Sequence, residues 1–257
     1  MEVHTHSPSH GKKTWKSYFW EFFMLFLAVF CGFLAEYKLE HLVEKRKEKQ
    51  IISALYEDLK KDTANLNDII YRYIPGHSAW EDSAEIFITT LPIKENERKI
   101  ALALVNATNW NFYSPPQVSL EILKSSGTFN LIEDNNIKKE IINFNSLINT
   151  YINYSRFALD AEHALDTTTT GMIRMTALRV IIVNVYAETN AQYGSITDKD
   201  LPTGNLLITY DKSVYLAFLK KIHAMDYLLH DLLGLYQKVL KEEIELLTVL
   251  KKAYHIK

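Results

Sequence analysis

YLAFLKKIHAMDYLLHDLLGLYQKVLKEEIELLTVLKKAY, residues 215–254, holds one row of side chains at helical spacing from end to end. Tyr215, Phe218, Ile222, Met225, Leu229, Leu232, Tyr236, Val239, Glu243, Leu246, Leu250 and Ala253 alternate at steps of three and four over 39 residues, with Glu243 the only polar member. Leu219, Leu233, Leu240, Leu247 and Tyr254 widen that face beyond a two-stranded seam. A helix of about 60 Å with so broad an apolar face predicts a multi-helix bundle.

Its neighbours follow from length. Ile52, Leu55, Leu59, Leu66, Ile69 and Tyr73 repeat at the same spacing, interrupted only by Asp62, and Pro75-Gly76 predicts the end of that helix. Ile137, Ile141, Phe144, Ile148 and Tyr151 form a third apolar face behind a cap at Asp134 or Asn135, in a helix reaching toward Leu165. Between them lie shorter helices: 79–90, 97–107, and one started by Ser114-Pro115-Pro116-Gln117 and stopped at Gly127. Thr167 to Thr170 before Gly171 predicts a bend or break. Residues 172–188 are rich in Val and Ile, yet no comparable strand is available to pair with them, so they read as helix; 193–209 reads as a loop. The fold class is all-α, an elongated up-and-down bundle over 51–257.

Composition agrees. The 257 residues are 47% apolar and 23% charged with a formal charge of -2, which suits one large core and argues against a disordered tail or a basic nucleic-acid binder. Only 8 Gly and 6 Pro leave little room for tight hairpins or Gly-rich phosphate loops. Cys31 is the single cysteine, so no internal disulfide framework or Cys-based zinc finger is expected. GxSxG, HExxH, P-loop and GxGxxG patterns do not occur, so the chain is not expected to be an enzyme or to carry a cofactor.

At the other end, FFMLFLAVFCGFLA (Phe22 to Ala35) is fourteen residues without a charge. Trp15, Tyr18, Phe19 and Trp20 precede it and Tyr37 follows, as interfacial aromatic belts do. Residues 18–39 make 22, about 33 Å of helix and enough for a bilayer core. Phe33-Leu34-Ala35-Glu36 lacks the small residues of a signal cleavage site, and Phe30 stands before Cys31 where a lipoprotein signal has a small residue. A single transmembrane helix follows, with lipid as its environment; a buried core helix is the alternative. Lys12, Lys13 and Lys16 ahead of it place the short tail (1–17) in the cytoplasm and the bundle outside an inner membrane, although Lys and Arg are nearly balanced across the span. Residues 40–50 form a charged stalk, solvated or paired between chains, with Glu36, Glu40, Glu44 and Glu48 in one row.

Along the span, Glu21, Leu25, Ala28, Gly32 and Ala35 fall on one stripe that gathers all its small residues, so helices can approach closely there. This predicts a homo-oligomer interface. His4, His6 and His10 in the His-rich tail are candidate metal ligands against the plainer reading of a polar tail. Asp160-xx-His163 and His223-xx-Asp226-xxx-His230 share helix faces, but a di-iron bundle needs Glu-x-x-His, which is absent, so they read as solvated polars. Trp110, Phe112 and Tyr113, at a helix end, either line a small-molecule pocket or pack as aromatics.

EKRKEKQIISALYEDLKKDTANL (Glu44 to Leu66) and SLEILKSSGTFNLIEDNNIKKEI (Ser119 to Ile141) resemble a group of single-span membrane proteins of Bacteroidota, in which a Leu-x-Ser-Ser-Gly helix end precedes Leu-Ile and an Asn/Asp-capped helix. The resemblance covers about a third of the chain and departs after the span, where Glu36-Tyr37-Lys38 stands in place of an Asn- and Trp-rich segment. It implies a membrane-anchored, mostly helical protein and no particular activity. The expected function is a membrane-anchored scaffold or interaction protein that self-associates and meets a further protein partner. An oligomeric channel with a Glu21 ring and an extracytoplasmic solute-sensing bundle stand as alternatives.

Overall fold

The computed structural model describes residues 15–108, 112–115, 117–125, 127–180 and 197–256. Helix α1 (Trp15–Asp68), a π turn (Ile69–Tyr73) and α2 (Ile74–Thr90) form one uninterrupted rod. At 76 residues it is about 114 Å long. Pro75-Gly76 therefore does not end this helix, contrary to the sequence expectation. Proline has no N–H, and its ring presses on the carbonyl four residues back, here that of Tyr71. The chain widens instead of breaking: the Ile74 N–H donates to Ile69 O, five residues back.

After the turn at Leu91-Pro92, α3 (Glu97–Ala107), α4 (Gln117–Ser125) and the single turn α5 (Thr128–Leu131) lead back toward the stalk. Gly127, at φ 69°, makes the left-handed step between the last two, a conformation that favours glycine. Helix α6 (Asn135–Thr170) then rises, its N-cap Asp134 accepting from the Asn136 N–H at 2.8 Å. It runs through the threonines expected to break it. Thr168 and Thr169 return their hydroxyls to Ala164 O and Leu165 O at 2.9 and 3.0 Å, which satisfies them inside the helix. The helix stops at Gly171.

Residues 175–180 are helical, and 181–196 lie outside the described residues. An antiparallel bridge, Ile173 with Leu207, ties the start of this stretch to the returning loop. Glu97 and Arg98 hold that loop to α3. Leu206 N–H and Leu207 N–H both donate to Glu97 Oε1 at 2.6 Å, while Arg98 Nε donates to Asp198 at 2.7 Å and its guanidinium reaches Pro202 O at 3.0 Å.

The last helix, α7 (Lys212–Tyr254), descends the length of the bundle, capped by Asp211. Eleven apolar or aromatic residues of its face are buried together with Glu243, as the spacing predicted. Its main packing partners are α6 and the α1–α2 rod. The antiparallel match is fixed at both ends: Tyr254 donates to Glu48 at 2.5 Å, and Lys212 donates to Thr89 O at 2.5 Å. The arrangement is up, down in three pieces, up and down. Two apolar clusters fill it, one around Ile100, Leu104 and Phe218, the other around Leu55, Phe144 and Val239. The apolar first half of α1 takes part in neither; residues 18–42 are exposed throughout.

Candidate functional site

Two groups of buried acids sit where the α1–α2 rod faces α7. The first joins the two polar residues that interrupt otherwise apolar rows. Asp62 on α1 is 7% exposed and Glu243 on α7 is 0% exposed. They hydrogen-bond to each other, and burial raises both carboxyls above the ordinary range, Glu243 the further. Glu243 keeps its proton and donates to Asp62; two desolvated carboxyls this close cannot both ionise. The Tyr113 hydroxyl also donates to Asp62, and the Thr63 hydroxyl, which donates to Leu59 O at 2.7 Å, stands 3.4 Å from Glu243 Oε2.

Aromatics seal this pair. The Tyr113, Tyr151 and Tyr236 rings lie 5.1–5.8 Å apart, centroid to centroid. Tyr151 donates its hydroxyl to Tyr113 O, and the Tyr113 N–H donates to Tyr236 Oη at 3.3 Å. Tyr113, in the irregular segment 112–115, is thereby fixed in the core with its own N–H and C=O satisfied by side chains, as burial requires. Burial raises the Tyr113 and Tyr151 phenols far above their usual value, so both stay hydrogen-bond donors.

The second group lies beyond the π turn. His77 and Glu81, one helical turn apart on α2, are both more than nine-tenths buried, with Nδ1 3.6 Å from Oε1. Desolvation drives the His77 imidazole down to about 4, leaving it neutral. Desolvation, aided by a hydrogen bond to Asp226 of α7, pushes the Glu81 carboxyl up to about 9. Glu81 also lines a cleft of about 440 Å³ between α2 and α7. The first cluster is closed and the second is open to a solute.

The residues singled out in the sequence are distributed differently. Glu21, Leu25, Ala28, Gly32 and Ala35 all lie exposed along one helix, and nothing in the bundle stands within 4 Å of where a Gly32 Cβ would be. His4, His6, His10 and Trp110 lie outside the described residues. Phe112 is half-buried, and Tyr113 belongs to the tyrosine seal. His163 and His230 are exposed, and His223 pairs with Glu85 at 3.4 Å. Among the described residues no group of three or more His, Cys, Asp or Glu is placed to hold a metal ion.

Sequence reasoning missed His77 and Glu81. The signal was the same one that marked Asp62: His77, Glu81, Ala84 and Ile88 step by four, three and four, and all four are buried. The expected break at Pro75-Gly76 hid it, because it detached this row from the helix before. Comparison with protein-family models, with curated proteins and with solved structures returned no match for this chain.

Proposed function

We propose that this chain is a single-pass membrane protein whose helical bundle serves as a non-enzymatic scaffold, and that sister copies associate through the Glu21–Ala35 stripe. One observation carries the reading. The most apolar 18-residue window of the rod has a mean hydropathy of 1.9, and none of it is buried. A core helix covers such a surface with its own protein, and exposed apolar patches on soluble monomers rarely exceed a few hundred Å². Here lipid covers it, and the small residues at 28, 32 and 35 let a second helix approach.

The resemblance of Glu44–Leu66 and Ser119–Ile141 to single-span proteins of Bacteroidota supports the same reading. The short basic tail favours a bundle outside the cytoplasm, carried on an inner membrane. The non-enzymatic part rests on the sequence, in which none of the catalytic motifs sought occurs.

The test is the oligomeric state of the full chain in mild detergent, read by light scattering and by crosslinking in native membranes. The expected result is a discrete oligomer that Gly32→Leu converts to monomer with the melting temperature of the bundle unchanged, since within one chain the added side chain meets nothing. A wild-type chain that stays monomeric at high concentration, or one recovered intact without detergent, ends the proposal.

A further inference from the structure

The cleft between α2 and α7 combines features that specify a ligand class. Ile74, Leu229 and Leu233 give it aliphatic walls, and its acids are Glu81, Asp82, Asp226 and Asp231; among the described residues no Lys or Arg lines it. Its volume, about 440 Å³, lies within the range of small-molecule sites. Glu81 lines it from a buried position, 7% exposed; its Oε1 lies 3.6 Å from His77 Nδ1, beyond hydrogen-bond distance, and accepts no hydrogen bond among the described residues. A buried carboxyl oxygen without a donor is costly, and a ligand that brings one removes that cost. The acids do not converge as metal ligands do. They are spread along an apolar trough, which fits a cation with a hydrocarbon body.

We propose that this cleft binds an organic cation, an ammonium group on a short aliphatic chain, with Glu81 and Asp226 accepting its N–H groups and Ile74, Leu229 and Leu233 covering its carbons. The site does not depend on whether residues 18–39 cross a bilayer.

Binding exchanges one positive charge for another. In the empty cleft Glu81 carries a proton; when the ammonium enters with all its own protons, Glu81 ionises and releases one proton to solvent. The groups facing Glu81 are His77 and Asp82 on α2, and Asp226, His230 and Asp231 on α7, the last held by the Tyr154 hydroxyl of α6 at 2.8 Å. With Glu81 held up to about 9, affinity rises with pH below that value, by at most about tenfold per unit.

The experiment titrates the full chain in mild detergent with 1,4-diaminobutane, following melting temperature and heat of binding, with 1,4-butanediol and Mg²⁺ as the neutral and metal probes. The diamine raises the melting temperature to a plateau, and the diol and Mg²⁺ do not. Glu81→Gln and Asp226→Asn each weaken the diamine by about tenfold or more, while Glu245→Gln, on the exposed Lys241 pair, leaves it unchanged. Asp226 is exposed, so its variant folds even where Glu81→Gln does not. No diamine response, an equal response to Mg²⁺, or a diamine response that survives Asp226→Asn overturns the assignment.

Discussion

The α1–α2 rod and α7 meet acid to acid twice, and the two meetings have opposite surroundings. Asp62 and Glu243 are sealed by three tyrosines and a threonine, and nearly every polar atom among them has a partner inside the protein. Glu81 and Asp226 share a hydrogen bond on the wall of a cleft, and one Glu81 oxygen is left without a donor. The chemistry is the same, a carboxyl protonated by burial beside a second acid. What differs is the third party. In the sealed cluster it is an irregular chain segment, whose Tyr113 the acids hold in the core. In the open cluster no segment among the described residues fills that place.

The sealed pair therefore contributes to register and the open pair does not, which gives the largest expected effect. Asp62→Ala removes the acceptor of both Tyr113 and Glu243 in the core and leaves a cavity; it costs about 3 kcal/mol of unfolding free energy. Asp226→Ala, at an exposed position, costs less than about 1 kcal/mol. Replacing both sealed acids, Asp62→Leu with Glu243→Met, recovers most of the loss, because apolar groups of similar volume carry no desolvation cost. Denaturant titration of the three variants beside the wild-type chain in detergent checks the ordering, and equal losses for Asp62→Ala and Asp226→Ala would erase the distinction.

Both clusters make stability depend on pH. Glu243 and Glu81 have folded values raised to about 10 and about 9 from an ordinary 4.5. Between those limits the folded chain binds protons that the unfolded chain has released, so stability falls as pH rises, by up to about 1.4 kcal/mol per unit for each group. His77 acts at the acid side. Its folded value is lowered to about 4 from 6.5, so the unfolded chain binds the extra proton and stability falls as pH drops through that window. Melting temperature is therefore expected to decline from about pH 5 toward pH 9 or so, less steeply below about pH 6.5, where His77 opposes the two carboxyls. Glu243→Gln and Glu81→Gln each flatten that decline, and His77→Gln steepens its part below about pH 6.5. A melting temperature level across the alkaline range contradicts the protonated pairs.

Much of this was legible before any coordinates, because long helices announce themselves by spacing. The α7 row, the α6 face, the Asp134 cap and the exact extent of α3 all follow from local pattern. Asp62 and Glu243 were visible as the two interruptions of apolar rows, and a polar residue in a buried row needs a partner. That they partner each other was not visible, since it depends on the antiparallel register of two helices 181 positions apart in sequence. Two local rules also misled. Pro75 widens the helix instead of stopping it, and the threonines of α6 bond backward instead of breaking it. In both cases packing on either side outweighs a local preference worth at most about 3 kcal/mol.

The π turn between the clusters gives the smallest and most discriminating prediction. Gly76 is helical there, and a Cβ added to it meets nothing within 4 Å. Gly76→Ala is expected to stabilise the chain by about 0.5–1 kcal/mol through reduced freedom of the unfolded state. If the turn merely accommodates Pro75, that gain comes with unchanged diamine affinity and an unchanged alkaline decline. If the turn flexes when the cleft fills, stiffening it shifts diamine affinity while the response of the Asp62–Glu243 pair to pH stays as it was. Measuring both quantities on the one variant separates a passive joint from a moving one: a passive turn leaves the two clusters independent, whereas a moving one makes the cleft the working end of the rod.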